Sequence, residues 1–501
     1  MNTKPARNRL FCPIGIRHAC CAMAGAAAIV VSAPDASATW SIVIVDTSTH
    51  EVAIGSATCL TFYDLKQLSP VVIVGIGAAA AQAQIDSGAS NRSFIHQKMY
   101  LGWDPADIII GLEGQDPSHQ SRQYGIVDVQ GRAATFTGTS TYGWSGGVTG
   151  QVGTLVYSIQ GNILTGECVI QEAEQAILNT PGDVPEKLMA AMEAARDTGG
   201  DGRCSCKDGG AEDCGCPPPV FDKSAHIGYM VVARIGDIDG TCGNQDGCAN
   251  GDYFMSYNLA RQNANDPDPV FQLRDLFNAW RTDLVGRPDG VQSVVTVDQP
   301  TLPPDGEATA MLDITVLDWQ GNPIDVPLAD ISVSRHDTSA GVTTLGQIID
   351  LGGGQYQMEV TARMREGTDR YVFVVDDGIR PVTLTPLPEI RVEVPQGSFR
   401  LLDPIPGFSG QENTLCVESG VPGSRTLFLY SLTEGMYDTV CGPLSLQPPT
   451  LAGQTTVAAD GTACIVIGVP SGARGKTVYM QAVQRPDCAR SNAVRWTFNA
   501  Q

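Results

Sequence analysis

The sequence predicts an α+β domain followed by two all-β sandwich domains. The chain has 501 residues, too many for one ordinary domain. Glycine (55) and proline (31) are plentiful and charged residues make up only 17%, a mix that favours turn-rich β domains over coiled coils. Strand and helix patterns alternate in groups at first, and short strands alone follow. We therefore place domains at 39–285, 290–394 and 395–501.

The first 38 residues have the pattern of a secretory signal peptide. A small apolar stretch, Ala19–Ala33, precedes the A-x-A cleavage site Ala36-Ser37-Ala38. The basic residues before it are Lys4, Arg7, Arg9 and Arg17. We expect Thr39 as the mature N-terminus and a secreted, periplasmic or cell-surface location. The apolar stretch is too short to cross a bilayer comfortably, so we predict no membrane span. An uncleaved N-terminal anchor is the alternative.

The charge of the chain argues against nucleic acid as a partner. The formal net charge is −22, and residues 1–38 hold four basic residues and one acidic residue, so the mature chain is near −22 − 3 = −25. Such a surface repels a phosphate backbone. Solubility alone explains the acidity, and weak binding of divalent cations is the less favoured alternative.

Apolar spacing predicts the first elements of the α+β domain. Trp40–Asp46, Val52–Cys59 and Val71–Ile76 are predicted strands. An alanine-rich stretch then predicts a helix over Ala81–Tyr100, interrupted at Gly88.

The rest of this domain continues in the same way. Asp104 is the predicted N-cap of a helix that begins at Pro105. The other predicted strands are Tyr124–Val129, Ala133–Thr137, Thr154–Gln160 and Ile227–Arg234. The other predicted helices are Glu167–Asn179, Pro185–Asp197 and Pro269–Arg281. This order favours a layered α+β domain.

A threonine directly after a cleavage site has a specific chemical use. When Thr, Ser or Cys begins a mature chain, its α-amine can act as the general base for its own side chain. An α-amine has a pKa of about 8, so a useful fraction is neutral at working pH. Thr39 opens a predicted strand that would hold it rigidly. The alternative is that Thr39 is merely the residue left by signal removal.

Segments spread over residues 39–281 together resemble one known family. They are Thr39–Val43, Val52–Ala57, Gly77-Ala78, Gln82-Ala83, Arg122–Asp128, Gly131-Arg132, Phe136–Gly138, Trp144 with Gly146, Gln160–Leu164, Gly199–Asp201 and Asp266–Val270. The family is domain of unknown function 1028, whose members resemble N-terminal nucleophile (Ntn) hydrolases. The resemblance implies a four-layer αββα sandwich, hydrolysis of an amide-containing substrate and, since Ntn-like domains often self-associate, a homo-oligomer.

The resemblance also implies a site around Thr39. Its Oγ would attack the substrate carbonyl and its amine would take the proton. Asn162 would donate a hydrogen bond to the oxyanion, the charge whose stabilisation usually contributes most. Ser56 and Thr58 lie where Ntn enzymes position the N-terminus, and Gln82 is a further polar candidate.

Two basic residues bear on that site. Arg122 is a candidate site residue or the structural partner of Asp128. Proteasome-type Ntn enzymes have a lysine on a following strand, whereas the nearest lysine here is Lys66, in a predicted loop. An alternative function therefore stays open, a non-catalytic secreted or surface binding protein that keeps the Ntn-like fold as a scaffold.

The cysteines favour disulfides. Fifteen are present and three fall in residues 1–38, so an even number remains in an exported chain. Four of them form a C-x-C-x7-C-x-C pattern, Cys204, Cys206, Cys214 and Cys216. Two disulfides among these four cysteines are favoured over zinc, because C-x2-C is the usual zinc spacing and export favours oxidation. Cys242 and Cys248 are expected to pair with each other or with that loop, and Cys59 and Cys168 to be buried thiols.

One acidic loop resembles a calcium site. Asp237 and Asp239 alternate along it, and Asp246 and Asp252 follow. The closing glutamate of a full calcium loop is missing, so a solvated acidic turn is favoured. We therefore predict no cofactor, with calcium and zinc as weak alternatives.

The segment 290–394 predicts a β-sandwich. Its predicted strands are Thr309–Leu317, Gln355–Thr361 and Tyr371–Asp376. Its segments Pro303–Thr309, Val316–Pro323 and Gly352–Tyr356 resemble invasin-type bacterial immunoglobulin-like domains. Such modules usually act as spacers or adhesive units.

The last segment, 395–501, repeats the β pattern and contains four cysteines. Sequential pairing would join Cys416 to Cys441 and Cys464 to Cys488, and two other pairings stay open. Spacing or surface attachment is the expected role of this domain.

Overall fold

The computed structural model describes residues 39–206, 214–395 and 397–499, so the predicted signal peptide lies outside the described residues. The described chain is α+β in its N-terminal region and mostly β thereafter, as predicted. Within these ranges no helix is long and apolar enough to cross a bilayer.

The strands of the first domain form two antiparallel sheets. They are β1 (Thr39–Asp46), β2 (Val52–Thr58), β3 (Pro70–Ile73), β4 (Gly77–Ala83), β5 (Arg122–Asp128), β6 (Ala133–Thr137), β7 (Trp144–Val152), β8 (Leu155–Leu164), β9 (Ile227–Ala233) and β10 (Met255–Leu259). The larger sheet has the order β10-β9-β2-β1-β8-β7, and the smaller has the order β3-β4-β5-β6.

Helices cover the outer faces of both sheets. They are α1 (Leu65–Leu68), α2 (Ser90–Tyr100), α3 (Pro105–Gln115), α4 (Cys168–Asn179), α5 (Val184–Asp197), α6 (Gly202–Ser205) and α7 (Pro269–Asp283). Apolar residues of α4, α5 and α7 pack on the larger sheet, and those of α2 and α3 pack on the smaller. Asp104, Asp183 and Asp268 cap the helices α3, α5 and α7, each of which has proline in its first turn. The predicted cap and start of α3 are thus confirmed.

Side chains that alternate between the two faces of β1 contribute to two hydrophobic cores, one on each face. Trp40, Ile42 and Ile44 pack against the helices, whereas Val43 and Val45 pack against the smaller sheet. Successive strand residues face opposite sides, so a central strand buried on both faces must be apolar on both. Fully burying each large apolar side chain contributes about 1.5–3 kcal/mol.

The alanine-rich stretch after Ile76 is a strand, so the helix predicted over Ala81–Tyr100 is wrong in its first part. Residues Gly77–Ala83 form β4, and the helix begins only at Ser90. Ala80 faces the larger sheet and Ala79 faces the helices. Small side chains let the two sheets approach, and this packing overrides the high helix propensity of alanine.

The second domain is a β-sandwich. Its strands are β11 (Val294–Val297), β12 (Thr301–Leu302), β13 (Thr309–Thr315), β14 (Ile331–Arg335), β15 (Thr343–Gly352), β16 (Gln355–Ala362), β17 (Gly367–Asp376), β18 (Pro381–Thr383) and β19 (Glu389–Val392). One sheet has the order β11-β13-β16-β15 and the other β12-β19-β17-β14, with β18 paired to β17. A single apolar cluster fills the space between them.

The third domain is also built from strands. They are β20 (Arg400–Leu401), β21 (Glu412–Glu418), β22 (Arg425–Ser431), β23 (Glu434–Thr439), β24 (Gly442–Leu446), β25 (Thr450–Thr456), β26 (Ala463–Gly468), β27 (Thr477–Arg485) and β28 (Val494–Thr497). Sheets of order β20-β21-β26 and β25-β22-β27-β28 share one apolar core, and β23 and β24 form a hairpin.

Disulfides join distant parts of the chain. The pairs are Cys59–Cys204, Cys168–Cys216, Cys206–Cys214, Cys242–Cys248, Cys416–Cys464 and Cys441–Cys488. The pairing of Cys242 with Cys248 agrees with prediction, but Cys59 and Cys168 are not buried thiols. Both reach the cysteine-rich loop, a long-range contact that sequence spacing does not reveal. All four sulfurs of the C-x-C-x7-C-x-C pattern are therefore in disulfides and not free to bind zinc, but only Cys206 and Cys214 pair within the pattern, so two disulfides inside it are not formed.

Two arginines, one buried and one half-buried, join the second domain to the first. Arg234 of the first domain donates to Glu51 at 2.5 Å and to Asp289, where the second domain begins, at 2.9 Å. Arg380 of the second domain pairs with Asp237 of the first. Domains joined by small polar contacts usually move relative to each other. Desolvated ion pairs with fixed partners oppose such motion here.

The acidic loop around Asp237 is structural. Asp237 accepts hydrogen bonds from the amides of Arg234 at 2.8 Å and Phe254 at 2.7 Å, besides its ion pair with Arg380. Asp239 accepts one from the amide of Val74 at 2.9 Å. Among the described residues, these carboxylates do not converge in a group able to hold a metal ion. The loop thus differs from the calcium loop that its spacing resembles, because the Asp237 and Asp239 carboxylates accept hydrogen bonds from different parts of the fold.

Disulfide mapping tests the third domain. We expect peptides cleaved from the unreduced protein to be linked as Cys416–Cys464 and Cys441–Cys488, because Cys416 and Cys464 are directly paired residues of neighbouring strands β21 and β26. Mass spectrometry before and after reduction identifies the linked peptides. Recovery of sequential Cys416–Cys441 peptides would contradict this arrangement.

Candidate active site

Hydroxyl and amide side chains line one end of the space between the two sheets of the first domain. Thr39 and Ser41 share the inner face of β1 with Val43, so this face changes from apolar to polar toward the start of the strand. We call the whole group the polar cluster. Its buried members are Thr39, Ser41, Ser56, Thr58, Gln82, Gln123, Ser158, Gln160 and Asn162.

Strand pairing sets Thr39 between two of the predicted site residues. Thr39 is paired directly with Asn162 of β8. The β1–β2 register, continued by one residue, places Thr58 on the other side of Thr39. These three side chains therefore form one row across the larger sheet. Thr39 itself is fully buried.

A second row lies one step further along the same strands and consists of Ser56, Ser41 and Gln160. The Ser41 and Ser56 hydroxyl oxygens are 2.9 Å apart, and Ser56 Oγ donates to the backbone carbonyl of Trp40 at 2.7 Å. Ser56 thus ties the second row to the backbone of β1 next to Thr39.

Gln82 reaches the cluster from the facing sheet. Its Nε2 donates to the carbonyl oxygen of Thr39 at 2.9 Å and to Gln123 Oε1 at 2.8 Å, and its Oε1 accepts from Ser41 Oγ. Gln82 therefore fixes the backbone of Thr39 from the opposite sheet.

Two further glutamines complete the cluster. Gln123 Nε2 donates to the carbonyl of Gly161 at 2.8 Å. Gln160 fits because residue 125 on β5 is glycine, since a Cβ there would lie 1.9 Å from Gln160 Oε1. That oxygen accepts from Ser158 Oγ at 2.7 Å, whereas Gln160 Nε2 is buried and makes no hydrogen bond. A buried donor of this kind is uncommon and marks a candidate functional group.

An ion pair borders the row that contains Thr39. Asp201 is fully buried and holds Arg203 through both carboxylate oxygens, at 3.1 and 2.8 Å. Arg203 Nη2 lies 3.4 Å from Thr58 Oγ1. Asp201 also accepts a hydrogen bond from the amide of Cys59 at 2.6 Å. The Arg203 guanidinium thus lies next to Thr58, the neighbour of Thr39 in the sheet.

A histidine and a disulfide lie beside the same strand end. The His226 amide donates to the carbonyl of Thr58 at 2.8 Å. The ligand atoms of His226, Cys59 and Cys204 lie within 4.8 Å of one another, and burial lowers the pKa of His226. Because the two sulfurs form a disulfide, this group is not arranged as a metal site in the oxidised protein.

The two basic residues singled out in the sequence lie elsewhere. The side chain of Arg122 is on the face of β5 opposite Gln123 and pairs with Asp116 at 2.8 Å. Its expected alternative partner, Asp128, pairs with Arg132 instead. Lys66 lies in the short helix α1, where burial lowers its pKa.

Sequence reasoning missed Ser41, Gln123, Gln160, Asp201 and Arg203 as members or neighbours of the site. A signal for the first three exists, because each is a polar residue at an inner-face position of a buried strand. Arg203 follows the Gly199–Asp201 segment in sequence, but only folding brings it to Thr58. The site as a whole offers hydroxyl nucleophiles, amide donors and one flanking cation.

Two family models match the chain. Residues 39–207 match the model described as "Family of unknown function (DUF1028)", and residues 289–386 match "Invasin, domain 3". Both resemblances found in the sequence are confirmed. No curated protein matches the chain.

Solved structures similar to this chain include one described as a DUF1028 protein and two adhesins. Protein SPO2555 from Silicibacter pomeroyi is 19% identical over 48% of this chain and 88% of its own, with a TM-score of 0.34. The adhesin InvE of Yersinia pseudotuberculosis is 18% identical over 42% of this chain and 59% of its own, with a TM-score of 0.20. The Escherichia coli adhesin FdeC is 12% identical over 92% and 97%, with a TM-score of 0.21.

Removing the Gln82 amide should loosen β1. In Gln82→Ala the Thr39 carbonyl and Gln123 Oε1 lose a buried donor, so we expect the opening free energy of β1 amides to fall by about 2–4 kcal/mol. Hydrogen exchange of peptides from β1 measures this. The matched control Gln151→Ala removes an exposed glutamine of β7 and should change exchange by less than about 0.5 kcal/mol. Equal exchange in both variants would contradict the role given to Gln82.

Proposed function

We propose that this chain, whose residues 39–207 are a DUF1028 domain and whose residues 289–386 are an invasin-type domain 3, is an extracytoplasmic surface protein that binds through its α+β domain. Invasin-type modules act as spacers or adhesive units, which suits display of a preceding domain. The six disulfides of the described residues favour an oxidising compartment over the cytosol.

The junction between the first two domains carries this proposal. The ion pairs of Arg234 with Glu51 and Asp289, and of Arg380 with Asp237, lie at the end of the sheets where β1 finishes. Thr39 and the polar cluster lie at the end where β1 starts, about 23 Å away for eight strand residues. A fixed attachment at one end leaves the opposite end directed away from the invasin-type domain.

Binding to whole cells tests the proposal. We expect fluorescently labelled protein of residues 39–501 to bind saturably to intact cells, with half-saturation at about 1 μM or below and with competition by unlabelled protein. Cells of the producing bacterium and of an animal epithelial line form separate arms. Thr39→Ala should bind as the parent does. Linear binding without competition in both arms would contradict a binding function.

A second candidate function is amide hydrolysis by Thr39, favoured by one observation. Thr39 begins a central strand between Thr58 and Asn162, with Gln82 on its carbonyl. We infer that the four layers (helices, larger sheet, smaller sheet, helices) form the Ntn-type αββα sandwich. In that fold, the mature N-terminal residue lies at the end of a central strand, as Thr39 does here.

The chemistry proposed for Thr39 proceeds in two steps. Thr39 Oγ attacks the substrate carbonyl carbon and its proton passes to the α-amine, which delivers it to the leaving nitrogen as the C–N bond breaks. Water then hydrolyses the resulting ester and regenerates the hydroxyl. Asn162 stays the proposed oxyanion donor, and the unpaired Gln160 Nε2 is a second one.

The Arg203 guanidinium is a cation near Thr39, where proteasome-type enzymes have a lysine. A positive charge near an amine disfavours the protonated amine and so lowers its pKa. Arg203 contacts Thr58, which flanks Thr39, and buried Asp201 holds it in place. We propose Arg203 as the positioning group that takes the place of the lysine of proteasome-type enzymes.

Labelling of the N-terminal threonine tests the second candidate. We expect secreted protein to begin at Thr39 by mass spectrometry and to gain the mass of an electrophile directed at N-terminal threonine. Thr39→Ala should lose the label, because the attacking hydroxyl is absent, and Thr39→Ser should keep it. The control Thr241→Ala removes an exposed hydroxyl and should label as the parent does. A different N-terminus, or labelling retained in Thr39→Ala, would refute the nucleophile.

A further inference from the structure

A cleft lies where the first domain meets the invasin-type domain. It encloses about 520 Å³, a size typical of small-molecule sites. The first domain contributes Asp46, Glu51, Asp183 and Arg281, and the second contributes Gln292 and Trp319. This cleft lies at the end of β1 remote from Thr39, so it is separate from the polar cluster.

Several buried polar atoms lining the cleft make no hydrogen bond. Glu51 is 1% exposed, and its Oε2 has no partner although its Oε1 binds Arg234. Arg281 is 6% exposed, and its Nε and Nη1 have no partner although its Nη2 pairs with Asp183. The indole nitrogen of Trp319 is also buried and unpaired. Buried polar groups are normally hydrogen-bonded, so these unpaired atoms together offer hydrogen-bonding positions for a ligand in the cleft.

The unpaired atoms are of two kinds. Glu51 Oε2 is an acceptor that suits an ammonium group, whereas Arg281 and Trp319 supply N–H donors that suit a carboxylate. Burial raises the pKa of Glu51 to about 7, which an ammonium ligand would reverse. A lone anion would meet the repulsion of Asp46, Glu51 and Asp183, and a lone cation would leave the donors of Arg281 unpaired.

Apolar residues complete the walls of the cleft. Leu155 and Val184 of the first domain and Val291 of the second line it together with the Trp319 ring. The Arg281 guanidinium lies 4.6 Å from the centre of that ring, a cation–π distance that holds the arginine between the domains. The walls thus suit an apolar side chain beside the two charged groups.

We propose that this cleft binds a free α-amino acid with an apolar side chain. Its ammonium group contacts Glu51, its carboxylate contacts Arg281 and the Trp319 indole N–H, and its side chain packs on the apolar wall. Both domains supply contacts, so the ligand also strengthens the junction between them.

Calorimetry with three related compounds tests the proposal on the 39–501 protein. We expect L-leucine to bind with a Kd below about 1 mM. L-leucinamide, which lacks the carboxylate, and 4-methylpentanoate, which lacks the ammonium group, should each bind at least about tenfold more weakly. No saturable heat from leucine up to about 10 mM, or equal affinity for all three compounds, overturns the proposal.

Variants distinguish binding in the cleft from effects elsewhere in the protein, including at Thr39. Glu51→Gln keeps the shape and should weaken leucine binding about tenfold or more, and Trp319→Phe keeps a ring and should weaken it about threefold to tenfold. The control Arg391→Gln removes an exposed arginine of β19, outside both the cleft and the junction, and should bind leucine within about twofold of the parent. Thr39→Ala should also bind normally, so failure of the nucleophile does not affect this test. Unchanged affinity in Glu51→Gln, with native circular dichroism, overturns the proposal.

Discussion

The first domain depends on one constraint, a central strand buried on both faces. Because β1 lies between β2 and β8, its outer residues must fit the helices while its inner residues must fit a second sheet. The second sheet approaches most closely at small inner residues such as Ala78, Ala80 and Gly125. This requirement explains why a run of alanines is a strand here rather than a helix.

The same constraint makes the polar cluster informative. Inner-face positions of β1 and β8 could all be apolar, yet toward Thr39 they are hydroxyl and amide side chains. Burying each such group without a partner would cost about 1–3 kcal/mol, so the cluster is stable only because its members bond to one another and to the backbone. Gln160 Nε2 is an exception within this network. Natural proteins keep such exceptions mainly where function requires them.

The junction between the first two domains contains buried charged groups, unlike the neutral polar groups of the cluster. Arg234 and Arg281 are buried between domains, where removal from water is costly and only close partners offset it. The ion pairs of Arg234 with Glu51 and Asp289 join the first two domains through specific partners, which favours one arrangement of these domains over others. The cleft lined by Glu51 and Arg281 is part of this junction, which ties occupancy of the cleft to domain orientation.

Local sequence determined the α+β and β character of the domains, the capped helices that begin at Pro105 and Pro269, and the two family resemblances, because these depend on neighbouring residues and periodicity. It also indicated Thr39, Asn162, Ser56, Thr58 and Gln82, which folding brings together in the polar cluster. Tertiary structure alone decided that Gly77–Ala83 is a strand and that Cys59 and Cys168 form disulfides with a distant loop. It also decided that Arg122 pairs with Asp116, while Arg203 lies beside the candidate site. Each of these depends on partners far away in the chain, and a pattern read along the sequence contains no information about which residues will meet across sheets.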